Sequence, residues 1–377
     1  MKGLPMNCDK PAPAALEEHQ TRLEPQRLSR ISAVATAVPG HRVGQQVAQQ
    51  FCRALFHETY PDIDRLLPVF SNSLVENRYF SVPEEWFETD HSFAEKNRHY
   101  IETALELGEA AISSCLRNAN LVPQDIDHLF FVSTTGLATP SIDARLINIL
   151  KLRPNVRRTP IWGLGCAGGV AGLSRAYEYT VAFPRERALV LALELCGLTF
   201  QRNDLSKSNL VATSLFGDGA AAVLVSGAGT GDAGPQILAS RSTLWYESLD
   251  VMGWDINDRG LKVLFSRDIP SIVRSLALPA LLEFLTAQGI ALGDLCHIIA
   301  HPGGAKVIEA YEQALGLTDG KMDRARGILR KYGNMSSPTV LFVLEDFVRS
   351  QAIGRGEYGL ITALGPGFSA EMMLIQG

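Results

Sequence analysis

Three polar residues of the sequence stand beside glycine-rich turns and together could perform thioester chemistry. Cys166 lies in Gly-Leu-Gly-Cys-Ala-Gly-Gly, His301 opens His-Pro-Gly-Gly, and Asn334 lies in Gly-Asn-Met-Ser-Ser. A thiolate attacks an acyl carbonyl and holds the acyl group, while imidazole and amide N–H groups stabilise negative charge on a second carbonyl. Spacing alone does not place the three residues in one pocket, and each also fits a structural role.

Cys166 follows an apolar segment and precedes a segment with helical spacing, so we expect it at a strand-to-helix junction. The unpaired N–H groups and the positive dipole end of that helix would favour the thiolate over the thiol. The glycines around the sulfur would let a substrate carbonyl approach the backbone closely. The alternative is a buried, inert cysteine in a glycine-rich turn.

Strand-like and helix-like segments alternate along the chain, which predicts an α/β fold with sheets buried on both faces. The apolar runs predict strands at 31–36, 126–133, 159–164, 188–193, 220–225, 296–300, 358–363 and 370–375. Helical spacing is found at 43–56, in part of 62–79, and at 92–118, 140–150, 170–180, 271–288, 306–315, 324–331 and 338–349. Each half delivers a reactive side chain at a strand end, which suggests an internal duplication. We therefore predict a flexible tail over 1–28, a first half over 29–228 and a second half over 229–377.

Composition excludes several classes of function. The 377 residues carry a net charge of −5, so we expect no general affinity for nucleic acids or anionic membranes. The six cysteines are scattered, without paired spacing for a metal or a disulfide framework, which favours a reduced cytoplasmic protein. No apolar run is long enough to span a membrane, and the polar N-terminus lacks the apolar core of a secretory signal.

Five motifs, in this order along the chain, resemble the type III polyketide synthases, the chalcone-synthase-like members of the thiolase superfamily. They are GLGCAGG around Cys166, LFGDGAA at 215–221, HPGG at His301, GNMSS at 333–337 and ALGPGFSAE at 363–371. The segments WGLGCAGG, ELCGLTFQ, KSNLVATSLFGDG, DVMGWD and FSRDIP are most similar to bacterial alkylpyrone synthases within that family. The resemblance extends from about residue 30 to the C-terminus.

This resemblance implies a five-layered αβαβα sandwich built from two duplicated halves and assembled as a homodimer. Cys166 would take an acyl starter from acyl-CoA. His301 and Asn334 would hold the thioester carbonyl of malonyl-CoA, so that decarboxylation leaves a stabilised enolate that attacks the acyl-cysteine. The resulting tri- or tetraketide would cyclise in the same cavity. Coenzyme A thioesters would serve as substrates, without a carrier protein, a metal or a tightly bound cofactor.

The resemblance also implies residues that line the substrate cavity. Phe216 matches a gatekeeper phenylalanine between the coenzyme A tunnel and the cavity, whereas the second gatekeeper, aligned through Asp268-Ile269-Pro270, falls on Val263. Thr199 and Cys196 match cavity-lining positions, and Cys196 replaces a threonine there.

Four further positions complete the predicted site. Thr139 falls near the residue that reaches across the dimer into the partner's cavity. Leu364 replaces an aromatic residue of the final glycine-proline-glycine loop, and Ser336 of the GNMSS motif is predicted to contact substrate. Arg78 is the best candidate for the coenzyme A phosphates, with an ordinary surface arginine as the alternative.

These replacements relative to the family have one effect in common: bulky or aromatic cavity residues become smaller or aliphatic. An apolar tunnel selects long chains by burial, at about 0.8 kcal/mol for each methylene, so we expect a long-chain fatty acyl-CoA starter and an alkylpyrone product. An alkylresorcinol-forming synthase and a carrier-protein-dependent ketoacyl synthase of the initiating type stay open as alternatives.

Two more distant classes fit less well. A hydroxymethylglutaryl-CoA synthase needs a catalytic glutamate in the first half, and Glu84 and Glu85 have the pattern of a solvated turn. A non-catalytic scaffold would not need all three polar residues.

Overall fold

The computed structural model describes residues 28–265, 269–317 and 320–377, so all but the last residue of the predicted tail lies outside the described residues. The strands of the described chain are β1 Arg30–Ala37, β2 His41–Gly44, β3 Asn77–Phe80, β4 His128–Val132, β5 Arg157–Ile161, β6 Arg187–Leu195, β7 Asp218–Ser226, β8 Gln236–Leu244, β9 Met252–Asn257, β10 Gly260–Phe265, β11 Leu295–Ala300, β12 Tyr358–Gly365 and β13 Ser369–Gln376. The α-helices are α1 Gln45–Phe56, α2 Pro68–Asn72, α3 Phe93–Asn118, α4 Ile142–Leu150, α5 Gly168–Ala182, α6 Lys207–Leu215, α7 Ile269–Ile272, α8 Leu278–Ala287, α9 Ala305–Leu315, α10 Asp323–Tyr332 and α11 Thr339–Arg349. A π-helical segment, Val273–Ala277, joins α7 to α8.

Nine strands form one mixed sheet in the order β11-β12-β13-β8-β1-β7-β6-β4-β5. It consists of two parts, because β1 and β8 pair through a single residue pair, Arg30 with Gln236. Five strands of the first half, β5-β4-β6-β7-β1, lie on one side of this junction, and four strands of the second half lie on the other. Two small hairpin-like sheets, β2-β3 and β9-β10, stand apart from the main one.

The helices form layers on both sides of these two sheet parts. Helices α5 and α11 lie in the middle, since each contacts strands of both halves. Helix α3, which begins with a Ser92–Glu95 capping box, covers β1, β6 and β7 from outside. The main hydrophobic core fills the space around the central helices and takes side chains from both halves of the chain. This arrangement is the five-layered αβαβα sandwich, so the predicted fold class is confirmed.

Several predicted elements differ from the structure. The segment 62–79 contains only a single turn, Ile63–Arg65, and the short α2, and it ends in strand β3 rather than in a helix. The strand before Cys166 ends at Ile161 instead of 164. Strands β8, β9 and β10 and helix α6 were not predicted from periodicity. Strands β8 and β9 are partly exposed, so the buried apolar run that marks a central strand is missing there.

Among the described residues, no helix is both long and apolar enough to cross a membrane. The boundary between the two predicted halves, at 228 and 229, falls in the connection between β7 and β8, and the division into those two halves stays a prediction.

Candidate active site

Cys166 lies in a 3₁₀ turn, Gly165–Ala167, that connects β5 to the first turn of α5. The strand-to-helix junction is thus confirmed, and two of the glycines beside the sulfur have a packing role that was not predicted. A Cβ atom at Gly169 would lie 2.2 Å from the Ser337 carbonyl oxygen, and one at Gly165 would lie 2.8 Å from Pro366. Gly169 and Gly165 therefore let the Asn334 segment and the final loop of the chain pack against the cysteine turn, whereas the space beside Gly163 is open and the approach of a substrate carbonyl stays a prediction.

The cysteine turn meets two polar side chains from the second half of the chain. Ser336 and Asn334 both donate hydrogen bonds to the Cys166 sulfur. Burial nevertheless raises the pKa of the Cys166 thiol to about 11, and the nearby Glu194 carboxylate adds to the rise, whereas the two hydrogen bonds oppose it. The expectation of a resting thiolate is therefore wrong, because desolvation outweighs the helix end and the hydrogen bonds.

His301 follows the C-terminal end of β11 and is almost completely buried. Its backbone is fixed, since His301 N donates to the Thr362 oxygen over 2.9 Å and Gly303 N donates to the His301 oxygen over 3.0 Å. Among the described residues, neither ring nitrogen has a hydrogen-bond partner. Burial lowers the pKa of His301 to about 3, so the imidazole is neutral and holds both a free donor and a free acceptor.

The Asn334 amide has one orientation, and its contacts define it. Its Oδ1 accepts from Ser336 N over 2.8 Å, and its Nδ2 donates to the Gly303 oxygen over 3.0 Å. One of the two N–H bonds of Nδ2 is thereby used, and the other is directed at the Cys166 sulfur. The bond to Gly303 also ties Asn334 to the loop of His301. Asn334 thus connects the segments that carry Cys166 and His301, and the meeting of the three side chains at one site stays a prediction.

The fold places Asn334 through the turn that ends α10. Gly333 has φ = +70°, a left-handed conformation suited to glycine, and reverses the chain there. Asn334 N then donates to the Leu215 oxygen over 2.8 Å, and Gly217 N donates to the Asn334 oxygen over 3.0 Å. This short parallel bridge between Phe216 and Asn334 joins the end of α6 to the catalytic segment.

Glu194 was missed in the sequence, although it lies against the same site. It is fully buried at the end of β6, and its Oε2 accepts from Thr134 N, Thr135 N and Thr135 Oγ1 at 2.8–3.0 Å. Its Oε1 accepts from Ser337 Oγ over 2.9 Å. Burial raises the pKa of Glu194 to about 7, while these hydrogen bonds oppose the rise. The available signal was a single acid inside the apolar run Leu-Ala-Leu-Glu-Leu, since a lone buried charge is seldom structural only.

A cavity of about 430 Å³ adjoins this site. Cys196, Thr199, Phe216 and Val263 are among its lining residues. The rest of the lining combines apolar residues of α1 with charged residues of other segments, among them Glu84, Arg202 and Lys262. Phe216 packs against the rings of Trp254 and Phe265, at centroid distances of 5.8 and 5.7 Å. The four predicted cavity residues are thus brought together, and their contact with substrate stays a prediction.

The other predicted site residues lie elsewhere. Leu364 borders a separate small space near Tyr311 and Thr362, because the end of β12 turns it away from the large cavity. Thr139 is exposed on this chain and precedes a cis proline, and its reach into a partner stays a prediction.

Arg78 is not a surface arginine. It is 1% exposed, and both terminal nitrogens already donate to internal acceptors, the Gln45 side chain and the carbonyls of Thr213 and Phe216. The interpretation of Arg78 as an ordinary surface residue is wrong because the side chain is buried. Arg78 is among the residues that line the large cavity, and its grip on coenzyme A phosphates stays a prediction. The error arose because the sequence does not indicate which face of the short strand β3 is buried.

Within the described residues, no group of three or more His, Cys, Asp or Glu side chains is arranged to hold a metal ion. The arrangement of thiol, neutral imidazole and amide instead suits acyl transfer to sulfur and stabilisation of an enolate.

Comparison with known proteins identifies the family. The profile described as "Chalcone and stilbene synthases, N-terminal domain" matches residues 16–230, and the corresponding C-terminal domain matches residues 236–377. A Bacillus subtilis (strain 168) protein named "Putative chalcone synthase" is 46% identical over 355 residues, which are 91% of this chain and 97% of that protein. The 1,3,6,8-tetrahydroxynaphthalene synthase of Streptomyces peucetius subsp. caesius is 38% identical over 371 residues, 98% of each chain.

A solved crystal structure supports the same family. The crystal structure of 1,3,6,8-tetrahydroxynaphthalene synthase from Streptomyces coelicolor A3(2), described as a bacterial type III polyketide synthase, superposes with a TM-score of 0.88. The two chains are 31% identical, and the match covers 92% of this chain and 99% of the other.

Proposed function

The chain belongs to the chalcone and stilbene synthase family, the type III polyketide synthases, and we propose that it extends a long-chain fatty acyl starter with malonyl-CoA and releases an alkylpyrone. The observation that supports the proposed chemistry is that Asn334 contacts both the Cys166 sulfur and the loop of His301, whose buried ring has no hydrogen-bond partner among the described residues. Acyl-CoA and malonyl-CoA are the proposed substrates, with no further cofactor.

Loading begins from a neutral pair, because burial favours the thiol of Cys166 and the neutral imidazole of His301. The imidazole accepts the thiol proton as the sulfur attacks the acyl-CoA carbonyl. The new S–C bond forms, the bond to the coenzyme A sulfur breaks, and the departing thiolate takes the proton from the imidazolium. The acyl group then remains on Cys166, and His301 is neutral again.

Chain extension uses the N–H groups of Asn334 and His301 to bind malonyl-CoA. The Asn334 N–H that is directed at Cys166 turns to the thioester oxygen of malonyl-CoA once the sulfur is acylated, and an N–H of His301 binds the same oxygen. Carbon dioxide leaves, and the electrons of the broken C–C bond remain as an enolate on that thioester. The enolate carbon attacks the acyl-Cys166 carbonyl, and the sulfur leaves as the chain, longer by two carbons, passes to coenzyme A.

The cavity supports a fatty acyl starter. Apolar residues of α1, including Val47, Phe51 and Leu55, line part of it. The rings of Phe87 and Phe200 pack against Phe51 and extend this apolar surface. Val263 stands at a position where the resemblance implies a phenylalanine, so the cavity is wider at that position. Each buried methylene contributes about 0.8 kcal/mol, which is about a fourfold gain in binding.

The test is product analysis with a panel of acyl-CoA starters and malonyl-CoA, without any carrier protein. We expect alkylpyrones, with the highest kcat/KM for long saturated chains. A preference for acetyl-CoA or for an aromatic starter would contradict the fatty acyl proposal. A requirement for a carrier protein would favour the ketoacyl synthase alternative, and alkylresorcinols would change the proposed ring closure.

A homodimer is part of the proposal. Strand β5 is an edge strand of the main sheet, and Leu137, Ile149 and Trp162 are 43–48% exposed. An uncovered strand edge with apolar neighbours favours pairing with a second copy. Sedimentation velocity should give a dimer at micromolar concentration, and Trp162→Arg should shift it to monomer. A monomeric wild-type protein would contradict the assembly.

A further inference from the structure

Arg78 is the largest of the fully buried side chains, and none of the described carboxylates is in contact with its guanidinium. Burial lowers the pKa of Arg78 to about 10, which still leaves it protonated near neutral pH. Burying a charge without an opposite charge is costly unless strong hydrogen bonds compensate. The partners of Arg78 therefore indicate what the charge is for.

Those partners are the carbonyls at the end of α6. Arg78 Nη1 donates to the oxygens of Thr213 and Phe216, and its Nη2 donates to the Oε1 of Gln45. The Nε2 of the same glutamine donates to the Ser214 oxygen over 2.9 Å. The last carbonyls of a helix have no partner inside the helix and carry its negative dipole end, so a cation fits there.

The remaining carbonyl of this group, that of Leu215 at the end of α6, binds the Asn334 segment. Leu215 O accepts from Asn334 N over 2.8 Å. Arg78 and Gln45 thus hold the carbonyls before and after the one that binds Asn334. The stem of Arg78 packs under the same junction, since its Cβ lies 3.2 Å from a Cβ placed at Gly217 and 3.5 Å from one placed at Gly333.

We propose that Arg78 is the positioning residue that sets the end of α6 against the Asn334 segment and so aims the Asn334 amide at Cys166. The same contact to the Phe216 carbonyl fixes the backbone of a residue that lines the cavity. This inference rests on the proposed function, because it assigns a role in malonyl-CoA decarboxylation. Displacement of a reacting group by about 1 Å costs about 10²-fold in rate.

The first test is Arg78→Lys. Lysine keeps the charge but cannot hold two carbonyls and Gln45 in one plane. Decarboxylation of malonyl-CoA should fall about 10²-fold in kcat with little change in KM, while acyl loading of Cys166, followed by intact mass, changes less than about threefold. The matched control is Arg187→Lys, which replaces an arginine bound by two nitrogens to Asp232 far from the site and should leave both rates unchanged. If Arg78→Lys behaves like this control, the inference is overturned.

A second test separates positioning from general destabilisation. In an Asn334→Ala background, Arg78→Lys should cause no further loss of decarboxylation, and a multiplicative loss would show that Arg78 does not act through Asn334. If Arg78→Lys does not fold, Gln45→Met carries the same prediction with the arginine retained.

A readout without turnover completes the design. Because the Asn334 hydrogen bond lowers the pKa of the Cys166 thiol, a displaced amide should shift the alkylation of Cys166 by iodoacetamide to higher pH. An unchanged pH profile of Cys166 alkylation in folded Arg78→Lys would overturn the inference, and this readout does not depend on turnover. Failure of the wild type to decarboxylate malonyl-CoA would refute the proposed function instead. The two outcomes are therefore distinct.

Discussion

Replacing Ala48 by phenylalanine should shorten the acyl chain that the enzyme accepts. Ala48 is buried on α1 and forms part of the cavity wall beside Val47 and Phe51. A phenyl ring at this position occupies space that we assign to the distal part of a fatty acyl chain. The catalytic residues are not on α1, so the chemistry itself should be unaffected.

The magnitude follows from the methylenes that lose their place. A ring that displaces about four methylenes removes about 3 kcal/mol of burial, which is about two orders of magnitude in kcat/KM for a long starter. A starter too short to reach α1 loses nothing. The ratio of kcat/KM between long and short starters should therefore fall by about 10².

The assay is kcat/KM for a series of saturated acyl-CoA starters with malonyl-CoA, for the wild type, Ala48→Phe and the control Gln46→Phe. Gln46 is exposed on the same helix and does not line the cavity, so its replacement should leave the length profile unchanged. Equal loss for all chain lengths, or an unchanged profile in folded Ala48→Phe, would refute the assignment of this cavity to the acyl chain.

Three further variants test the catalytic site. Cys166→Ala should abolish the acyl adduct seen by intact mass after incubation with acyl-CoA, and an adduct that persists would place the nucleophile elsewhere. His301→Ala and Asn334→Ala should each lower malonyl-CoA decarboxylation by about 10²-fold or more, while Cys166 still accepts an acyl group, slowly without the histidine; normal extension by either variant would contradict its role. The unfolding free energy of the wild type should fall as pH rises from about 4.5 to about 7, because Glu194 binds its proton more tightly when folded. In denaturation measured from pH 5 to 8, Glu194→Gln should make the unfolding free energy less dependent on pH. A pH dependence identical to that of the wild type would show that Glu194 does not cause the fall.

The positions of Cys166, His301 and Asn334 along the chain were predictable because each follows the end of a regular element, and their catalytic roles stay predictions. An apolar strand followed by a glycine turn predicts where Cys166 and His301 lie, and the C-terminal turn of a helix predicts the position of Asn334. These are local signals, so the alternation of strands and helices, and the fold class with it, could be predicted as well.

The burial of Glu194 and Arg78 could not be predicted from local sequence signals. Neither the neighbours of Glu194 nor those of Arg78 in sequence are the groups that hold it, since Ser337 lies 143 positions away from the glutamate and Thr213 lies 135 positions away from the arginine. A charged residue looks solvated until the packing around it is known. The same limit explains why the packing of Ser337 against Gly169 and of Pro366 against Gly165 was not predicted.

The order of elements, the kinds of reactive groups and the membership of the family were determined by the amino-acid sequence, because periodicity and motif spacing are properties of the chain itself. The ionisation of those groups was decided only by the tertiary structure. Burial makes Cys166 a thiol and His301 a neutral imidazole, against the thiolate expected from the helix end. Desolvation depends on every atom that surrounds a group, and those atoms come from both halves of the chain.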